Sequence, residues 1–151
     1  MKYFLRVLSF ALISFCGIAV AEQSSSFGEY VVHYNALTTD QILPSVARPY
    51  GILRSKNRAL LNIAVQKKVM GTPVQAVEAD VTVTATNLNA QLKNVEMRQI
   101  TSGAETGTTA IYYLGELPVA HEESVTFKVS VTPSGGDRTH EFEFEQQFYT
   151  K

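Results

Sequence analysis

The sequence predicts an all-β protein, an immunoglobulin-like antiparallel β-sandwich of about seven strands. Three observations carry that expectation. Short segments alternate apolar and polar residues at the two-residue period of a strand with one buried face, clearest in Val125, Phe127, Val129 and Val131 against Thr126, Lys128 and Ser130. Turn residues recur between these segments at intervals of about 8 to 15 residues. No amphipathic helix of useful length is present, and the helical content is expected to be at most one short turn near residues 44–48.

Taken in order, Met1 to Ala21 has a basic start (Lys2, Arg6), an apolar run from Val7 to Val20, and the small-residue signal Ala19-Val20-Ala21. This reads as a secretory signal peptide cleaved after Ala21. The run is too short to span a bilayer, which takes about 20 residues as a helix, so no transmembrane segment is expected after cleavage. Cys16 follows Phe15 rather than a small residue, which argues against acylation there. Residues 22–26 are polar and serine-rich and read as a flexible N-terminal tail; residues 27–151 read as a single domain.

The first strand is expected from Gly28 to Asn35, with Tyr30, Val32 and Tyr34 on one face and Glu29, Val31, His33 and Asn35 on the other. Pro44 opens the short helical turn and Pro49 closes it. The central strand holds Leu61, Ile63 and Val65 against Asn62 and Ala64, and Gly71-Thr72-Pro73 ends it in a turn. Ala79 to Thr86 alternates Val81, Val83 and Ala85 with three threonines. A weaker alternation runs from Leu92 to Ile100, and Ala110 to Glu116 sets Tyr112 and Tyr113 on opposite faces. The last two strands meet at the hairpin Pro133-Ser-Gly-Gly-Asp137, the second carrying Phe142 and Phe144 against Glu141, Glu143 and Glu145. Ile63, Val83 and Phe127 should share one core.

Cleavage after Ala21 removes the single cysteine, and with it any disulfide, thiol catalysis or cysteine-based metal site. The chain that remains is net acidic, yet six of its basic residues fall between Arg48 and Lys68. A nucleic-acid binder would be basic overall, so nucleic acid is not an expected partner.

The segments Glu29-Tyr-Val-Val-His-Tyr-Asn-Ala-Leu37 and Tyr50-Gly-Ile-Leu-Arg-Ser-Lys-Asn-Arg58, followed by Leu61-Asn-Ile-Ala-Val65, resemble the domain of unknown function 4426 family, small secreted proteins of Gram-negative envelopes. The resemblance covers the whole mature chain. It implies an immunoglobulin-like sandwich with a periplasmic address and brings no catalytic residues with it.

The basic loop Arg54, Lys56, Asn57 and Arg58 is the foremost binding candidate, because clustered cations suit an anionic partner such as an envelope protein, a lipid headgroup or a polysaccharide. The competing reading is a solvated loop whose charges pair with the chain's own acidic second half. His33, Tyr34 and Asn35 on the first strand are a second candidate group. The three histidines lack metal-ligand spacing, Ser134-Gly135-Gly136 lacks the Lys-Ser/Thr ending of a phosphate loop, and no nucleophile elbow is present. The glutamates of the last strand read as charges that keep an edge from pairing. Catalytic residues, cofactors and metals are therefore all assigned as none. The expected function is a non-catalytic periplasmic binding or interaction module; the alternative is a hydrolase or other enzyme using His33, Tyr34 and nearby carboxylates.

Overall fold

Residues 23–103, 107 and 109–151 are described by a computed structural model; the expected signal peptide lies outside them. The strands are β1 (Gln23–Phe27), β2 (Tyr30–Thr38), β3 (Arg58–Lys67), β4 (Gln75–Ala76), β5 (Ala79–Asn87), β6 (Leu92–Val95), β7 (Met97–Ser102), β8 (Ala110–Pro118), β9 (Glu123–Pro133) and β10 (His140–Phe148). Between β2 and β3 the chain makes a 3-10 turn over Thr39–Gln41 and one helical turn, α1 (Pro44–Ala47), opened by Pro44 as expected.

Two antiparallel sheets face each other. One has the order β1-β2-β3-β8-β7, with β4 on the far end of β3; the other has the order β10-β9-β5-β6. The inward residues of the alternation meet between them: Leu61, Ile63 and Val65 from β3, Val83 and Ala85 from β5, and Val125, Phe127, Val129 and Val131 from β9 form one buried cluster. Ile63, Val83 and Phe127 do share that core.

Three strands exceed the expected number, each for a physical reason. The tail expected at residues 22–26 is instead β1 over Gln23–Phe27, because polar side chains on an edge strand leave the backbone free to pair, here from Gln23 opposite Tyr34 to Phe27 opposite Tyr30. Phe27 anchors it by stacking on His140 at 4.2 Å between ring centres. β4 is two residues pairing with the end of β3. The third arises because the weak alternation from Leu92 to Ile100 is two strands in different sheets: β6 pairs with β5, the chain crosses at Glu96, and β7 pairs with β8. Gly115 of β8 permits the crossing, since a Cβ there would stand 2.5 Å from both Val95 Cγ1 and Met97 Sδ.

β10 is the outer strand of its sheet, with Glu141, Glu143 and Glu145 alternating against the half-buried Phe142 and Phe144. Such charges discourage pairing with other chains. The Ser134-Gly135-Gly136 segment is a hairpin turn, closed by Gly136 N–H donating to Pro133 O at 3.0 Å.

Candidate functional site

Strand alternation gives the larger sheet an outer face as well as a core face. On β3 the residues between the core positions are Leu60 and Asn62; on β8 they are Tyr112, Leu114 and Glu116; on β7, Arg98 and Ile100 lie beside them. A sandwich that left this face to water would carry polar residues there. Leu60 and Leu114 are instead buried, because the connection from β2 to β3 folds back over them and brings Ala47 and Ile52 into contact.

Local chemistry holds that connection in place. Gly51, at φ +65°, ends the helical turn: its N–H donates to Arg48 O at 3.2 Å and the next N–H, of Ile52, donates to Ala47 O at 3.0 Å. This is the paired bonding of a left-handed helix stop, with its accompanying contact between Ile52 and Ala47. The buried Thr39 hydroxyl lies 2.8 Å from Leu53 O and 3.0 Å from Ser55 O, and accepts Ser55 N–H at 2.8 Å. Arg54 Nε donates to Ile42 O at 2.6 Å and its Nη2 to Asp40 O at 2.7 Å.

Between this connection and the sheet runs a groove of about 450 Å³, walled by Ile42, Val46, Tyr50 and Ile52 and floored by Leu37, Leu60, Ile100, Tyr112 and Leu114, with Asn35 and Asn62 beside them. Asn35 and Asn62 are direct cross-strand partners. The Asn62 Oδ1 is buried with no hydrogen-bond partner among the described residues. Val46 and Tyr112 expose apolar surface at the lip. Outside the groove's lining but on the same sheet face, where Glu116 is the cross-strand partner of Leu60 and Arg98 that of Leu114, Arg58 Nε donates to Glu116 Oε2 at 3.1 Å and Arg98 Nη2 to Glu116 Oε1 at 3.4 Å, so two guanidinium groups share one carboxylate. A cleft of about 810 Å³ along β5 and β6 is larger, but Thr82, Thr84, Asn94, Glu96, Lys128 and Ser130 make much of its lining polar.

The residues singled out from sequence divide between roles. Arg54 pins the groove's wall through backbone carbonyls. Asn57 gives its carbonyl to Val119 N–H at 3.0 Å. Lys56 is exposed and makes no ion pair among the described residues. Arg58 pairs with the acidic second half of the chain, through Glu116. Asn35 lies in the groove. His33 Nε2 lies 3.1 Å from Gln66 Oε1 on the outer face, whereas Tyr34 turns inward and packs on Phe142 and Phe144 at 4.8 and 4.5 Å between ring centres. Neighbours on a strand point to opposite faces, so His33 and Tyr34 do not form one site. Among the described residues no group of three or more His, Cys, Asp or Glu converges as a metal site.

Leu60, Ile100, Tyr112, Leu114 and the wall residues were missed. Their signal is the pair Leu60-Leu61 and the run Tyr112-Tyr113-Leu114, where apolar residues occupy consecutive positions and so must appear on both faces of a strand.

Fold and groove together define an antiparallel β-sandwich with an apolar seat on the outer face of one sheet. The family described as a domain of unknown function, DUF4426, matches residues 24–151, and the chain belongs to it. It is also similar to a solved crystal structure of a DUF4426 family protein from Pseudomonas aeruginosa PAO1, with 30% sequence identity, a TM-score of 0.69, and coverage of 85% of this chain and 94% of that one. No curated protein matches the chain.

Proposed function

We propose that the protein is a non-catalytic binding module of the bacterial periplasm, exported by the segment ending at Ala21, and that its ligand seat is the groove under the β2–β3 connection. The groove itself carries the reading: a concave site of about 450 Å³ with an apolar floor and a few polar groups has the size and make-up of a small-molecule site. Its wall is fixed by Thr39, Arg54 and Gly51 through backbone bonds, so the site is formed before any ligand arrives. The separation of His33 from Tyr34 favours binding over the enzyme reading, which drew on both.

An uncharged naphthylamine dye, whose fluorescence rises in apolar surroundings, tests this. The mature chain is expected to bind it at one site, and Val46→Glu together with Tyr112→Asp to abolish the signal while the variant still unfolds cooperatively, because both side chains are partly exposed. Full signal in the double variant would place dye binding elsewhere and end the reading.

A further inference from the structure

We infer that the groove takes a single-chain amphiphile with an anionic head, of the fatty-acid type, one molecule at a time. This rests on the groove being the ligand seat and adds the chemistry of the ligand. Two features of one sheet face carry it, the apolar floor and the cations beside it.

Strand alternation places Arg98 two residues from Ile100 on β7, and Arg58 two residues from Leu60 on β3. Each guanidinium root therefore stands about 7 Å along its strand from an apolar floor residue, on the same face. Both arginines converge on Glu116, itself two residues from Leu114. One carboxylate between two guanidinium groups leaves an excess positive charge. Each guanidinium has five N–H donors, and one from each is bonded to Glu116. Side-chain exposures of 41% for Arg58 and 42% for Arg98, against 18% for Glu116, leave both arginine side chains open to an approaching anion while the glutamate side chain is largely covered.

A carboxylate head fits those donors, since guanidinium–carboxylate bonds are the strong, directional kind. The hydrocarbon chain then lies over Leu114, Leu60 and Ile100 toward Tyr112. An uncharged apolar ligand would use the floor alone, and a soluble anion the arginines alone. A bilayer surface is a poorer fit, because these leucines line a recess.

Calorimetric titration of the mature chain with octanoate and decanoate below their micelle concentrations, with decan-1-ol, with decylammonium and with phosphatidylglycerol vesicles separates the possibilities. Decanoate is expected to bind one per chain, roughly tenfold tighter than octanoate for its two further methylenes, and more weakly as salt rises. Decan-1-ol and decylammonium should bind about tenfold or more below decanoate, matching the loss of a charged hydrogen bond. Arg98→Gln should bring decanoate down to the level of decan-1-ol and leave decan-1-ol unchanged. Equal binding of the three ten-carbon ligands overturns the anionic head while the groove reading survives; binding of none removes both. Vesicle binding without decanoate binding makes the face a membrane-docking surface and overturns the inference. The head-group comparison uses the unaltered chain, so it decides the matter even where a substitution disturbs the sheet.

Discussion

Phe127 is wholly buried, stacked on Phe144 at 5.0 Å and edge-on to Phe148 at 6.5 Å between ring centres. It lies on β9, in the middle of the smaller sheet, where surrounding strands limit collapse into a vacated space. Phe127→Ala is therefore expected to cost about 3 to 5 kcal/mol, the range for deleting a core aromatic. Urea unfolding followed by circular dichroism measures it, and a midpoint equal to the parent's would mean that the core does not depend on this ring. The same scale explains what sequence could show. The inward set on β9 is legible because each apolar residue is flanked by polar ones. Arg54 was legible as a cation but not in its role, because its bonds are to carbonyls 12 and 14 residues away, which a charge pattern does not encode.

Between elements, polar clamps supplement the core. Lys93 of β6 reaches Pro118 O at 2.9 Å and Glu123 Oε1 at 2.6 Å, and Glu123 also accepts from Asn87 Nδ2 at 2.9 Å and from Ala120 N–H at 2.8 Å. The ends of β5, β6, β8 and β9 are tied at one carboxylate. Burial alone would raise the Glu123 pKa, but the bonds from Lys93, Asn87 and Ala120, with the Lys93 charge, outweigh it and hold the pKa below the usual 4.5. A carboxyl depressed on folding stabilises above its unfolded pKa, and that contribution disappears as pH falls through the lower folded value. Melting temperature followed from pH 7 into the range below 4.5 should therefore fall more steeply in the parent than in Glu123→Gln, and the variant should already melt lower at neutral pH. Parallel curves would remove Glu123 from the acid response. This clamp was not legible, since Lys93 and Glu123 lie 30 residues apart and meet only because β6 and the β8–β9 turn share one end of the sandwich. The groove is not legible in the sequence for a related reason: its wall comes from a connection between strands, and its floor from apolar residues that alternation assigns to the solvent side.

For the whole molecule, stability without disulfides and the proposed export belong to one argument. The only cysteine, Cys16, lies within the segment read as a signal peptide, so a chain cleaved after Ala21, as proposed, would have none. A domain of this kind in an oxidising compartment must be held by its core, and the two-sheet cluster supplies one from β2 to the last residue of β10, Phe148. Cleavage after Ala21, as proposed, would retain the described β1–β2 pairs, from Gln23 opposite Tyr34 to Phe27 opposite Tyr30, whereas a cut a few residues later would remove some of them. On the signal Ala19-Val20-Ala21, the protein recovered from the periplasm is expected to begin at Glu22 on N-terminal sequencing and, with no cysteine after that point, to melt at the same temperature with and without reductant. A retained Met1 or an acylated Cys16 would overturn cleavage after Ala21; a start beyond Phe27 would mean that β1 is dispensable to the mature fold.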